Sequence, residues 1–73
     1  MEKKERLILY ATRYCLGRRT FAVDDMVEYL LDNWDSFSKQ LKDTIIRDIK
    51  RAIEEKMAGE ECDIRDWKKI LNK

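Results

Sequence analysis

The sequence of 73 residues contains no histidine and no proline, and only two glycines and two cysteines. Without histidine, the common acid–base and catalytic-triad schemes have no imidazole to use. Cys15 and Cys62 form no Cys-x-x-Cys pair, so we expect neither a zinc site nor a disulfide framework. These absences predict a protein that is not an enzyme and that uses no metal or cofactor. Because proline is absent and glycine is scarce, few residues would interrupt a helix.

Charge is abundant but balanced. Sixteen bases stand against 15 acids, which gives a formal net charge of +1. By total charge, this excludes a strongly basic nucleic-acid tail and a strongly acidic mimic. The charged N-terminus precedes only a short apolar run at 7–10, which is typical of neither a signal peptide nor a membrane span. We therefore expect a cytoplasmic protein with reduced thiols.

The apolar residues recur at helical spacing along the whole chain. Gly17 and Gly59 are predicted to end the first and third helices, and Ser38 and Asp63 to cap the third and fourth. The sequence therefore predicts an all-α fold, a compact three- to four-helix bundle with the first and third helices central. We expect one domain, 1–73, with helices at about 2–16, 22–34, 39–57 and 64–72.

The first helix is apolar on two sides. Tyr10 and Tyr14 belong to a wide apolar arc, and Leu9 and Leu16 fall nearly opposite. Such a helix is either central in its fold or partly buried against another chain. One prediction is therefore a structural module that forms a homo-oligomer through Leu9 and Leu16.

The second helix carries an acidic face. No lysine or arginine occurs between Arg19 and Lys39, and the acids there share one arc of the helix. This pattern favours docking to a basic partner protein by charge complementarity, with exposed Tyr29 as an anchor. The alternative is a solvated face, or one neutralised by bases of a neighbouring helix. The acids are Asp24, Asp25, Glu28, Asp32 and Asp35, of which Asp25, Glu28 and Asp32 are the predicted partner-binding residues.

The first twenty residues carry six bases against two acids, with aromatic residues between them. A small nucleic-acid-binding module is the alternative function that this pattern favours. Against it, Asp48 lies at the edge of an apolar face and needs a partner, so an arginine near Gly17 is predicted to be structural. The second and third helices resemble a helix-turn-helix only superficially, because acids precede the recognition segment. The predicted nucleic-acid-binding residues are Arg13, Arg18, Arg19, Lys39 and Lys42.

Two stretches resemble a known family. Residues 10–21 read YATRYCLGRRTF, and Asn33-Trp34, 45–53, Ala58-Gly59, Cys62-Asp63 and Trp67 follow in order. The first stretch is similar to the Y-A-x-R-Y-x-L-G-R-x-T-[YF] signature of short uncharacterised proteins from phages, prophages and other mobile elements. Cys15 departs from the pattern, where a small residue such as alanine is expected.

The resemblance implies a context and no mechanism. Small phage accessory proteins without active sites often bind and disable a host factor, such as a restriction or CRISPR nuclease. The resemblance therefore implies a non-enzymatic phage or prophage accessory protein that acts by protein–protein interaction in the host cytoplasm. Its partner would be a host or phage protein, and an inhibitor of a host defence nuclease is the sharper form of this expectation.

Overall fold

The computed structural model describes residues 1–18 and 23–73, and within them every side chain except that of Arg18. These residues form an all-α bundle, as the sequence predicts, and no described helix is long and apolar enough to cross a membrane. A single turn of 3₁₀-helix at Trp34–Ser36 follows the second helix. The helices are α1 (Lys3–Arg18), α2 (Val23–Asn33), α3 (Lys39–Glu54) and α4 (Glu61–Leu71).

The four helices surround one core. α1 packs between α2 and α3 on one side of the bundle, and α4 packs between the same two helices on the other side. The expectation that α1 and α3 are central is wrong for α1, because its outward face exposes large apolar side chains. The centre of the core is formed by Leu30, Leu41, Ile45, Ile49, Trp67 and Ile70.

Both tryptophans are core residues, as their positions in the apolar pattern predict. Trp67 is completely buried, and Trp34 is 6% exposed. The Trp34 ring meets Phe37 edge to face, with centroids 6.0 Å apart. This pair closes the connection between α2 and α3 with apolar surface, a geometry that aromatic rings prefer. Cys15 is also buried and Cys62 is exposed, and neither is in a disulfide.

Leu9 and Leu16 lie inside the core, with 6% and 5% of their surface exposed. The prediction that they form a second, outward-facing stripe is therefore wrong. The helix is rotated so that Leu7 and the two tyrosines face outward, at 58–59% exposure. The side of α1 that packs inward is the one with Leu9 and Leu16, together with Ile8 and Cys15.

The ends of α1 and α3 differ from the glycine-based prediction. Gly17 lies within α1 and not in a left-handed position after it. α3 ends at Glu54, short of the predicted Met57, because Lys56 adopts a φ of 59°. The N–H of Lys56 bonds to Ile53 O at 3.1 Å and that of Met57 to Ala52 O at 2.7 Å. This pair of bonds is a Schellman motif, with lysine where glycine is usual.

The start of α4 also differs from the prediction. The helix begins at Glu61, with Glu60 as its N-cap, so Asp63 lies in the first turn. Asp63 Oδ2 still accepts the Glu60 N–H, at 3.3 Å. Gly59 has a φ of 95°, and a Cβ added there would lie 2.5 Å from that same oxygen. Gly59 is therefore needed to enter α4, and it does not end α3. The predicted start of the second helix at 22 lies outside the described residues.

Candidate interaction surfaces

The acids of α2 form one exposed face. Val23, Val27 and Leu30 are buried, which turns the opposite side of this helix outward. Asp24 and Asp25 lie in its first turn, where their negative charges interact favourably with the helix dipole. Asp24 Oδ1 accepts the N–H of Asp25 at 3.0 Å. All of the predicted acids, Asp24, Asp25, Glu28, Asp32 and Asp35, are exposed. The structure therefore places the predicted acidic set together; we call Asp24, Asp25, Glu28 and Asp32 the acidic face.

No ion pair among the described residues involves the acidic face. Three acids elsewhere form ion pairs: Asp48 with Arg13, Glu55 with Arg51, and Asp66 with Lys69. Within the described part of the chain, the acidic face is thus not neutralised by bases of neighbouring helices. Its four like charges are brought together on a helix of 11 residues that contains no base.

A groove runs between the acidic face and α4. Its volume is about 320 Å³, and it has Val27 and Leu31 in its floor. Lys69 is on the α4 side of this groove, where its Nζ lies 3.3 Å from Asp66 Oδ1. The pairing with Asp66 leaves the α2 carboxylates without a partner from α4. The groove therefore combines two apolar lining residues with carboxylates on the α2 side and the Lys69–Asp66 pair on the α4 side.

Tyr29 lies at the edge of the acidic face, as predicted. It is 42% exposed and is one helical turn from both Asp25 and Asp32. The side-chain amide of Asn33 donates to the Tyr29 carbonyl oxygen at 2.8 Å, which adds a hydrogen bond to the last turn of α2. An exposed aromatic ring beside carboxylates is the composition of an interface anchor.

α1 has the opposite charge. It carries five bases and a single acid, Glu5. Both Glu5 carboxylate oxygens are occupied by Ser38, which lowers the pKa of Glu5 from its ordinary value of 4.5, chiefly through the bond from the Ser38 backbone N–H and then through that from its hydroxyl. The outward surface of α1 is consequently basic, next to an α2 that is acidic.

Arg13 has the structural role that the sequence predicts for an arginine near Asp48. Its Nε donates to Asp48 Oδ2 at 2.7 Å, and this joins α1 to α3. Arg47 approaches the other carboxylate oxygen, with Nε at 4.0 Å. Arg51 lines a groove of about 290 Å³ together with Arg13 and Gly17. Two arginines therefore approach the Asp48 carboxylate at the α1–α3 junction, and Arg51, paired with Glu55, lines the groove beside it.

The predicted nucleic-acid set is described only in part. Lys39 and Lys42 lie in the first turn of α3, about 14 Å and about 9 Å along the helix from Asp48, the partner of Arg13, at a rise of about 1.5 Å per residue. Arg19 and the Arg18 side chain lie outside the described residues. Arg47, which approaches the Asp48 carboxylate, and Arg51, which lines the groove with Arg13, are two further bases that were not among the predicted residues. Their spacing of four residues around Asp48 is the signal that would have identified them.

Two tyrosines lie on the outer side of α1, beside Arg13. Tyr10 is three residues before Arg13 and four after Arg6, so the three side chains share one side of α1. Tyr10 and Tyr14 are each 58% exposed, and Leu7 is 59% exposed on the same outer side. We call Arg6, Tyr10, Arg13 and Tyr14 of α1, with Arg47 and Arg51 of α3, the basic–aromatic face.

The described residues contain no group of three or more histidine, cysteine, aspartate or glutamate side chains that could hold a metal ion. Comparison of the chain with protein-family models, with curated proteins and with solved structures found no match. The two charged surfaces are therefore the features from which function is inferred.

Proposed function

We propose that this chain is an interaction protein that binds a basic surface of a partner protein through the acidic face of α2. The observation that supports the proposal is the clustering of four exposed carboxylates on one helix that contains no base. Within the described residues none of these four has a basic partner, whereas Asp48 of α3 and Asp66 of α4 each have one. Clustered like charges repel one another, and a basic partner would relieve that cost.

The geometry also supports a protein as the partner. Tyr29 provides an exposed ring at the edge of the acidic face, and the groove toward α4 has Val27 and Leu31 among its lining residues, next to the α2 carboxylates. Interfaces combine a few aromatic or apolar anchors with surrounding charge that steers association and selects the partner.

The resemblance of 10–21 to phage and prophage proteins supports a sharper form. Nucleases bind nucleic acid through basic clefts, and an acidic helix on a small protein is complementary to such a cleft. In this form, the chain is a phage accessory protein in the host cytoplasm that occupies the nucleic-acid cleft of a restriction or CRISPR nuclease.

The test compares three forms of the tagged protein in capture experiments from bacterial lysate and with purified restriction and CRISPR nucleases. The test variant D25N/E28Q/D32N removes three charges from the acidic face. The matched control D43N/E54Q/E61Q removes three charges from exposed acids on α3 and α4.

We expect wild type and control to bind the same partner with 1:1 stoichiometry, and the test variant to lose at least tenfold in affinity. Inhibition of nuclease cleavage by wild type and control alone would support the sharper form. Equal loss in both variants would show that total charge matters and would reject the acidic face as a specific site.

A further inference from the structure

The basic–aromatic face is a second surface, on a different side of the bundle, that the proposed function does not use. We propose that it binds single-stranded nucleic acid, with arginines on the phosphates and tyrosine rings stacked on bases. This inference does not rest on the proposed function, because the residues involved belong to α1 and α3 and not to α2.

The first argument is the arrangement of the positive charge. The Arg13 side chain remains 47% exposed although its Nε is bound to Asp48, and Arg47 is 71% exposed beside it. A guanidinium that uses one N–H has others available in its planar fork. Asp48 thus holds two arginines at one place across two helices, so that the distance between them is set by the fold.

The second argument is the exposure of the rings. Burial of a tyrosine ring is favourable, yet Tyr10 and Tyr14 each leave 58% of their surface exposed on the same outer side of α1. They are one turn apart, about 6 Å along the helix axis at a rise of about 1.5 Å per residue. Two such rings offer faces to two neighbouring bases, and each stacked base contributes substantially to single-strand affinity.

The combination favours a single strand over a duplex. Duplex bases stack on each other and present only their edges in the grooves, so outward-facing tyrosines would have no base face to contact. An unstacked strand offers base faces to the rings and phosphates to the arginines at the same time. An acidic protein would engage the arginines equally well, but it would carry no requirement for aromatic rings at both tyrosine positions.

The test is fluorescence anisotropy of a labelled 20-nucleotide oligothymidylate with the full chain at about 50 mM salt, a regime in which phosphate contacts are strong. We expect binding whose logarithmic affinity falls with logarithmic salt at a slope of about −2 to −3. This slope corresponds to about four phosphate contacts at about −0.7 each, one for each arginine of the face.

Substitutions separate stacking from simple charge. Y10L/Y14L is expected to lose at least about tenfold in affinity, since stacking is worth about five- to 150-fold per base. Y10F is expected to remain within about twofold of wild type, because phenylalanine keeps the ring. Y29L, at an exposed tyrosine on α2, is the matched control and is expected to bind as wild type.

Three outcomes would overturn the inference. They are absence of binding at 50 mM salt, unchanged affinity of Y10L/Y14L, and equal affinity for a duplex of the same length. Circular dichroism and thermal melting of each variant verify that these exposed substitutions leave the bundle folded. Loss of partner capture in D25N/E28Q/D32N without loss of oligothymidylate binding would keep this inference and the proposed function distinct.

Discussion

The carboxylate of Glu5 in α1 holds Ser38, the residue that begins α3. Glu5 Oε2 accepts the Ser38 N–H at 2.8 Å, and Oε1 accepts the Ser38 hydroxyl at 2.8 Å. The same hydroxyl oxygen accepts the N–H of Leu41 at 3.2 Å and so caps α3. Ser38, which caps α3, is thereby positioned by Glu5 of α1, 33 residues earlier in the sequence. This connection and the Arg13–Asp48 pair fix α1 parallel to α3.

The first prediction concerns pH. Because the hydrogen bonds from Ser38 lower the folded-state pKa of Glu5 below 4.5, folding favours its charged form. Its contribution to stability is complete above the unfolded-state pKa and is lost as the pH falls through the lower folded-state pKa. We expect the stability difference between wild type and E5Q to be constant near pH 7 and to shrink below about pH 4.5.

Urea unfolding at several pH values, followed by circular dichroism, measures this difference. E2Q is the control, since Glu2 is an exposed acid before the same helix, and its difference from wild type should be small throughout. A difference for E5Q that stays constant down to pH 3 would contradict the linkage between Glu5 and Ser38.

Local sequence rules predicted one half of this arrangement. Ser38 was identified as an N-cap because serine before a helical pattern has a local signature. Glu5 was not identified as its partner, because that pairing depends on how α1 packs against α3. Local rules were also insufficient at the helix ends. They predict that Gly17 and Gly59 end helices, whereas α3 ends through Lys56 in a left-handed conformation.

The second prediction concerns the two residues with positive φ between α3 and α4, Lys56 and Gly59. Lys56 has a φ of 59°, which costs a side-chain-bearing residue about 1 kcal/mol, so K56G is expected to stabilise the protein by up to about 1 kcal/mol. G59A is expected to destabilise it by at least about 1 kcal/mol, because φ is 95° and the new Cβ would clash with Asp63.

Thermal unfolding of the two variants measures both effects. K50G, in the middle of α3, is the control and is expected to destabilise by about 0.5–1 kcal/mol, since glycine weakens a helix interior. Destabilisation by K56G to the same degree as by K50G would contradict the left-handed conformation of Lys56 at the end of α3.

For the candidate surfaces, the sequence shows which charged residues are present, but it predicts which of them are neighbours only within a single helix. The sequence places the acids of α2 on one exposed face because they belong to one helix, where spacing alone determines which side chains are neighbours. Arg13 and Arg47 come from two helices and meet at Asp48 only through the packing of α1 on α3, which spacing along one helix does not predict. Asp48 gave the one usable clue, namely a carboxylate at the edge of an apolar face.

The third prediction concerns the coupling between Arg13 and Asp48. A double-mutant cycle with R13Q and D48N is expected to give a coupling of about 1 kcal/mol, at the upper end for partly exposed pairs, since Asp48 is only 17% exposed. The control cycle with R51Q and E55Q tests a more exposed pair on one helix and should give about 0.3 kcal/mol. Equal couplings in the two cycles would contradict the role of Arg13 in joining α1 to α3.

The fourth prediction separates the two sides of α1. Leu9 is 6% exposed and Leu7 is 59% exposed, although the two are only two residues apart. L9A removes buried methyl groups and leaves a cavity, so we expect a loss of about 2–4 kcal/mol in the free energy of unfolding. L7A should change it by less than about 0.5 kcal/mol. L9V removes less volume and provides an intermediate case if L9A is too unstable to measure.

Urea unfolding at two protein concentrations, tenfold apart, distinguishes a core leucine from an interface leucine. If Leu9 stabilises the folded monomer, the cost of L9A is the same at both concentrations, because folding of a monomer does not depend on concentration. If Leu9 were buried by a second copy, the midpoint of wild type would rise with concentration, and L9A would remove that rise. A concentration-dependent midpoint would therefore restore Leu9 and Leu16 as an oligomer surface and contradict their place in the core.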